Sequence, residues 1–187
     1  MDEAGRGPLA GPLVAAAVSL PRGAYLLGVT DSKKLSDKKR RALFPLIIEI
    51  AIGYSTGIVE YSEIDKVGMA ESVRLAFNRA AQAIDIKDAL YLVDGLPIRN
   101  LPLQSRFIVK GDSKSLSIAA ASIIAKVTRD DIMIRADREF PGYGFASNKG
   151  YGSGEHMKAI EKLGPSPIHR MSFAPMKYDK QIRMHFE

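Results

Sequence analysis

The chain has 187 residues, 46% of them hydrophobic and 26% charged, which is typical of one globular domain and excludes a disordered or fibrous protein. No apolar run reaches the ~20 residues that cross a bilayer, so we expect residues 1–187 to form a single soluble domain without membrane contact. A formal net charge of +6 favours a polyanionic partner, although an ordinary basic surface has the same charge.

Four short apolar runs bounded by Pro or Gly predict strands. In chain order they are PLVAAAVSL (12–20), AIGYSTGIVEY (51–61), ALYLVDG (89–95) and RFIVKGD (106–112). Helical periodicity predicts SDKKRRALFPLIIEI (36–50), GMAESVRLAFNRAAQAI (68–84), SIAAASIIAKVTRDDIMIRADREF (117–140) and GEHMKAIEKLG (154–164). Strands that then alternate with helices indicate an α/β fold, with a mixed sheet flanked by helices.

Four acidic residues stand at or near the ends of strand-like runs, next to glycine-containing turns: Asp2, Glu3, Asp94 and Asp112. Strand ends converge at one edge of a sheet, and clustered carboxylates repel one another unless cations neutralise them. Oxygen ligands suit hard divalent ions such as Mg²⁺, and two such ions promote in-line attack of water on a phosphodiester. The alternative is that Asp94 and Asp112 only form turns.

The acids at the start of the chain are followed by a glycine-rich loop, GRGPLAG. It lacks the Lys-Ser/Thr ending of a Walker loop, and its third glycine falls one position late for a dinucleotide fingerprint. Gly5 and Gly7 would let a ligand approach the backbone closely, and backbone groups there could hydrogen-bond a sugar 2′-OH. A tight turn after a strand is the simpler interpretation.

Basic and aromatic residues suggest a nucleic-acid surface. The segment DSKKLSDKKRR concentrates six basic residues from Lys33 to Arg41, which either contact phosphates or form a solvated face. In NKGYGSGEH, Tyr151 could stack on a sugar or base, or be a half-buried loop residue. His169 could contact phosphate or cap local backbone, whereas we expect His156 on a helix surface.

The chain has no cysteine, which excludes disulfides and thiolate metal sites and is compatible with a reducing, cytoplasmic location. His156 and His169 do not have the spacing of a zinc site, and the serines lack the nucleophile-elbow pattern of serine hydrolases. Any metal must therefore be held by oxygen or imidazole.

The sequence resembles the type 2 ribonuclease H family, in its bacterial ribonuclease HII form. The matching stretches follow the family's order over almost the whole chain: DEAGRGPLAGP, DSKKLS, LVDG, KGDSKSLSIAAASIIAKVTRD, YGFASNKGYGSGEH and HRMSF. The resemblance implies a ribonuclease H-like α/β fold with additional C-terminal helices. It also implies endonucleolytic cleavage of the RNA strand in RNA–DNA hybrids.

By resemblance, the four acids correspond to the family's metal-binding and catalytic acids, which act with Mg²⁺ or Mn²⁺, two ions being expected with substrate bound. The Gly-Arg-Gly motif senses 2′-OH groups on either side of the cleaved phosphate, and the matching tyrosine stacks on the deoxyribose beyond an RNA–DNA junction. The expected substrate-binding residues are Gly5, Arg6, Gly7, Lys33, Tyr151, His169 and Arg170.

The implied products carry 3′-hydroxyl and 5′-phosphate ends, and the implied substrates include single ribonucleotides in duplex DNA, cut on their 5′ side. This would place the chain, as a monomer, in ribonucleotide excision and primer removal. A sliding clamp is a possible partner in this family, but KQIRMHFE, with Met184 and Phe186, is too weak a match to predict it.

Three alternatives compete with this interpretation. The type 3 relative carries an added N-terminal substrate-binding domain, for which this chain has no room, so type 2 is preferred. A non-catalytic hybrid-binding module would bind without metal-dependent turnover. A metal-dependent DNA nuclease on a similar fold would cut all-DNA duplex equally well, and the loop that reads 2′-OH groups argues against it.

Overall fold

The structure is a computed structural model, and it describes residues 1–177. Met184 and Phe186 lie outside the described residues. The five strands described form an antiparallel ladder of three strands and a parallel ladder of two. β1 (Asp2–Ala4) pairs antiparallel with β2 (Leu13–Ser19), and β2 pairs antiparallel with β3 (Gly53–Val59). The second ladder is parallel and joins β4 (Tyr91–Asp94) to β5 (Ser105–Ile108).

Met1 connects the two ladders. Its amino group donates to the Leu92 carbonyl oxygen at 2.6 Å, and the Asp94 N–H donates to the Met1 carbonyl oxygen at 3.0 Å. This is the hydrogen-bond pattern of neighbouring parallel strands. The spatial order is therefore β3-β2-β1-β4-β5, which confirms the predicted mixed sheet.

Helices cover both faces of the sheet. The helices described are α1 (Asp37–Ile50), α2 (Tyr61–Ile84), α3 (Leu116–Glu139), the single-turn α4 (Phe145–Asn148) and α5 (Gly154–Leu163). No helix among residues 1–177 combines the length and apolarity that a membrane crossing requires.

The central strand β2 explains why helices are needed on both sides. Odd-numbered residues from Leu13 to Ala17 pack with Phe77 of α2, whereas Ala16 packs with Ile123 of α3. Since alternate side chains of a strand point to opposite faces, an uninterrupted apolar run is buried on both. The buried alanines of α3 let this helix lie close to the sheet.

Helix α2 is longer than predicted. It begins at Tyr61 with a capping box between Glu60 and Glu63, and its helical path is interrupted at Gly68, where φ is 78° and ψ is 164°. The sequence-based start at residue 68 coincides with this interruption. The missed first turns, residues 61–67, place the buried Ile64 among polar residues, so the apolar stripe is less evident there.

The C-terminal helices pack against the start of the chain. A third apolar cluster joins Ala10 with Met133 of α3, Phe145 of α4 and Ile160 of α5. This cluster fixes the loop after β1 against the C-terminal part, which brings the glycine loop and the Tyr151 segment together.

Gly57 of β3 tests the contact between sheet and helix. A Cβ at this position would lie 2.1 Å from the Ala76 carbonyl oxygen and 2.5 Å from the Ala80 nitrogen. We expect Gly57→Ala to lower the free energy of unfolding by at least about 1–3 kcal/mol, because the α2 backbone must shift. Urea denaturation measures the change.

Gly53→Ala in the same strand is the matched control, since its Cβ would come no closer than 3.5 Å to Ile84. It should leave stability unchanged or raise it slightly. Equal stability of the two variants would contradict the close packing of α2 on β3.

Candidate active site

Three carboxylates meet where β1 and β4 lie side by side. Asp2 belongs to β1, Asp94 ends β4, and Asp112 lies in a 3₁₀ helix, Gly111–Ser113, after β5. One carboxylate oxygen from each residue lies within 4.8 Å of the others. The hydrogen bonds of Met1 create this arrangement because they place the ends of β1 and β4 next to each other.

Burial and nearby negative charges disfavour the charged forms of Asp2 and Asp112. Burial raises the pKa of Asp2 to about 7, with further contributions from the negative charges of Glu3 and Asp94. The pKa of Asp112 is raised, first by burial and then by Asp31 and Asp94. A compact, oxygen-only set of this kind fits a hard divalent cation, which would neutralise the cluster.

Glu3 is the predicted acid that the structure does not place within this group of three. It follows Asp2 along β1, and its carboxylate pairs with the Arg6 guanidinium at 3.2 Å. Burial raises the pKa of Glu3, and Arg6 opposes that rise. Glu3 and Asp94 line a groove of about 830 Å³ that continues past Lys33.

Hydrogen bonds orient two of the acids. Asp94 accepts the Gly111 N–H at 2.6 Å, which fixes the turn that carries Asp112. Asp31, missed by the sequence reasoning, hydrogen-bonds Asp112 and accepts the Lys33 N–H at 2.9 Å. Its signal was available, since Asp31 opens the DSKKLS segment.

Arg170 holds the glycine loop from inside the protein. Its side chain is fully buried and donates four hydrogen bonds to carbonyl oxygens. The acceptors are Gly5 at 2.7 Å, Arg6 at 3.2 Å, Pro8 at 2.9 Å and Gly11 at 2.9 Å. With its donors engaged inside, Arg170 has no contact with the groove, which corrects the expectation that it binds substrate directly.

Arg129 does the same from α3 and was missed by the sequence reasoning. It donates to Pro12 at 2.9 Å, to Ala10 at 3.0 Å and to Lys149 at 2.9 Å. Burial lowers the pKa of Arg129, and burial first and Arg129 second lower that of Arg170 to about 9, so the Arg170 cation persists at neutral pH. Together the arginines join the loop after β1 to the loop before α5.

Tyr151 lies beside the exposed end of the glycine loop. Its side chain is 45% exposed, and a Cβ built on Gly7 would lie 3.8 Å from the ring. The cationic groups of Lys126 and Arg129 are each 5.9 Å from the ring centroid. The structure thus brings together the glycine loop and the tyrosine that the sequence predicted.

His156 and His169 are interior residues. His169 is 1% exposed and His156 is completely buried, with their Nε2 atoms 3.0 Å apart. Burial corrects two expectations, that His169 contacts substrate and that His156 lies on a helix surface. The alternative that His169 caps local backbone is met by its contact with Ser166, whose N–H donates to His169 Nδ1 at 2.8 Å.

The basic segment divides into two groups. Lys33 is exposed and lines the groove. Arg40 donates to backbone carbonyls of Ser32 and Leu35, and Arg41 pairs with Asp131 at 2.7 Å. The lysines therefore face solvent, whereas Arg40 holds local backbone and Arg41 links α1 to α3.

Comparison with known proteins decides the family. Residues 1–176 match the profile of ribonuclease HII. The chain belongs to the ribonuclease HII family. It is 48% identical to ribonuclease HII of Desulfitobacterium hafniense over 182 residues, which cover 97% of this chain and 70% of that protein.

Solved structures of related proteins are also similar to this chain. Ribonuclease H2 from Pyrococcus horikoshii aligns with a TM-score of 0.80 at 30% identity, over 99% of this chain and 96% of that one. Ribonuclease HII of Archaeoglobus fulgidus, solved in complex with PCNA, gives 0.77 at 26% identity and covers 92% of both chains. The chain is thus an endonuclease acting on the RNA strand of RNA–DNA hybrids, with the ribonuclease H-like fold predicted.

Substitution of Gly7 should affect activity alone, whereas substitution of Gly5 should affect activity and stability. Gly7→Ala meets no atom closer than 3.8 Å, so stability should hold while the added methyl narrows the gap to Tyr151. We expect kcat/KM on an RNA–DNA hybrid to fall about tenfold or more, because misplacement of substrate is costly.

Gly5→Ala should instead lower stability as well. Its φ is +105°, and a Cβ would lie 2.3 Å from Arg129 Nε. Thermal unfolding and hybrid cleavage of both variants separate the two cases. A fully active Gly7→Ala enzyme would contradict a ligand path past Gly7.

The buried histidines predict a pH-dependent stability. Burial, reinforced by His156, lowers the pKa of His169 from 6.5 to about 4. The unfolded chain therefore binds more protons than the folded one in this window. The contribution of His169 to the free energy of unfolding is complete above about pH 6.5 and is lost as the pH falls toward 4. We expect the His169→Gln variant to lose less free energy of unfolding than wild type between these pH values. The free energies are measured by urea denaturation at several pH values. An equal pH dependence for the variant and the wild type would contradict the prediction.

Proposed function

We propose that the chain hydrolyses RNA–DNA hybrids and also cuts duplex DNA on the 5′ side of a single embedded ribonucleotide, leaving 3′-hydroxyl and 5′-phosphate ends. One observation carries this proposal. Glu3 of β1 pairs with the exposed Arg6 side chain, and the next residue, Gly7, lies beside the half-exposed Tyr151 ring. Such a path suits a phosphate beside acids, a 2′-OH beside backbone and a sugar beside the ring.

Asp2, Asp94 and Asp112 would hold a divalent cation, with Glu3 at the groove side of the same site. Mg²⁺ and Mn²⁺ both suit these oxygen ligands, and we propose that two ions are held when substrate is present. When bound, the ions supply charge stabilisation and an activated water.

The remaining residues bind and orient the substrate. The Arg6 side chain is 60% exposed and anchored on Glu3, so its outer surface is available to a phosphate near the acids. Lys33 adds a second cation to the groove. Gly5 keeps the loop in its turned conformation, and Gly7 opens its backbone to a 2′-OH beside Tyr151.

Residues 1–187 are proposed to act as one domain and as a monomer, in the cytoplasm, in ribonucleotide excision and primer removal. The PCNA complex of the Archaeoglobus protein makes clamp binding a reasonable question for this family. Because KQIRMHFE lies outside the described residues, no clamp contact enters the proposal.

The first test is cleavage of a DNA duplex that contains one ribonucleotide. Reactions with Mg²⁺, with Mn²⁺ and with a chelator are compared, alongside an all-DNA duplex and a uniform RNA–DNA hybrid. We expect metal-dependent cutting 5′ to the ribonucleotide and an intact all-DNA control. Cutting of the uniform hybrid alone would refute the single-ribonucleotide activity, and equal cutting of all-DNA duplex would favour the DNA nuclease.

Asp94→Asn tests the role of the acidic cluster. It removes one charge from the proposed metal site, and we expect kcat to fall at least about a hundredfold while hybrid binding persists, because metal-derived stabilisation is worth several kcal/mol. Asp88→Asn, an exposed loop residue with the same change of charge, is the control and should keep full activity. Full cleavage by Asp94→Asn would refute the metal role.

A further inference from the structure

His156 and His169 form a buried chain of hydrogen bonds that ends near the active site. Ser166 N–H donates to His169 Nδ1 at 2.8 Å, and the two Nε2 atoms lie 3.0 Å apart. At the other end, His156 Nδ1 is 2.8 Å from the carbonyl oxygen of Tyr151. The chain therefore runs from Ser166 to the backbone of the proposed stacking residue.

The backbone partners determine which ring nitrogens carry protons. A carbonyl oxygen only accepts, so His156 Nδ1 must carry a hydrogen. A backbone N–H only donates, so His169 Nδ1 must accept. The two Nε2 atoms can then bond in one way, with His169 donating to His156. Both rings are neutral, and a further proton would place two N–H groups face to face.

The surroundings favour this neutral state. The rings pack with Phe145, at centroid distances of 5.4 Å for His156 and 5.7 Å for His169, and with Tyr143, 5.2 Å from His169. Burial lowers the pKa of both imidazoles. No carboxylate contributes to either shift, and the hydrogen bonds to the Tyr151 and Ser166 backbone only partly oppose the effect of burial.

The same segment also reaches the glycine loop. His169 forms a backbone bridge with Ala10, and the Arg170 N–H donates to the Leu9 carbonyl oxygen at 2.8 Å. The next side chain, Arg170, holds the carbonyl oxygens of Gly5 and Arg6. His169 and Arg170 thus contact the glycine loop directly, and His169 reaches the Tyr151 loop through His156.

We propose that His156 and His169 are positioning residues that set the distance of Tyr151 from the glycine loop and thereby the enzyme's preference for substrates with a deoxyribose after the ribonucleotide. Neither histidine touches substrate. His169 is fixed to the glycine loop through the backbone bridge and Arg170. His156 connects His169 to the Tyr151 carbonyl oxygen by hydrogen bonds and so holds Tyr151 at a set distance from that loop. This inference rests on the proposed function, because it uses the stacking role of Tyr151.

Nuclear magnetic resonance of the full chain with ¹⁵N-labelled histidine tests the hydrogen-bond chain without substrate. The sequence has three histidines, so assignment by His156→Gln and His169→Gln is direct. We expect His156 to carry its proton on Nδ1 and His169 on Nε2 at neutral pH. The opposite tautomers, or a charged ring, would overturn the proposal.

Two substitutions of His156 separate positioning from folding. Asn places an amide N–H where Nδ1 lies, so His156→Asn keeps the donor to Tyr151. Gln reaches the Nε2 position, so His156→Gln keeps the contact with His169 and loses that donor. The readout is kcat/KM on a single-ribonucleotide duplex divided by kcat/KM on a uniform hybrid.

We expect His156→Gln to lower this ratio about fivefold or more, at the lower end of what a ring stack contributes. His156→Asn should change it by less than about twofold. In a Tyr151→Ala background, His156→Gln should lower the ratio no further, because its effect passes through the ring. Equal losses on both substrates, or additive effects with Tyr151→Ala, would show a merely structural role and overturn the proposal.

Failure of the proposed function can be distinguished from failure of this inference. If wild type cuts the uniform hybrid but no single-ribonucleotide duplex, that function is refuted through wild type alone. The tautomer measurement still decides whether the hydrogen-bond chain exists, since it requires no cleavage.

Discussion

Two buried guanidinium groups hold the loop between β1 and β2, and the arrangement of the site depends on them. Arg129 and Arg170 satisfy carbonyl oxygens from Gly5 to Pro12 that burial would otherwise leave without partners. A charged donor is well suited to this task because one guanidinium supplies several N–H groups in fixed directions. With these carbonyls turned inward, the exposed part of the loop lies beside Tyr151.

The distribution of charge explains how a basic protein can have an acidic centre. The net charge of +6 attracts a polyanion, and Arg6 and Lys33 place cations at the rim of the groove. The crowded acids have the opposite effect, since they repel a phosphate and each other. A cation bound by the acids would reconcile the two effects, so that substrate and metal would stabilise one another's binding. This reciprocity is a general property of linked sites.

Much of the fold and part of the site followed from the sequence. The apolar run of β2 and the aspartates at strand ends are local signals, and the structure confirmed the strands and brought Asp2, Asp94 and Asp112 together. Arg170 was different, because its partners are backbone carbonyls about 160 positions away, which have no side-chain signature. The sequence of a polar motif does not show whether its side chains face a ligand or the protein interior. His156 was misplaced for this reason, since its partner is another histidine brought close only by the C-terminal packing.

The connection at Met1 has a consequence for the mechanics of the sheet. Two backbone hydrogen bonds hold the antiparallel and parallel ladders together, and the acids stand on either side of this seam, Asp2 on one half and Asp94 with Asp112 on the other. Without a cation, their repulsion works to separate the halves. A cation bound by all three would act as a cross-link, adding its binding free energy to the cohesion of the sheet. In the loaded enzyme, metal coordination would then hold this seam together in addition to its backbone hydrogen bonds.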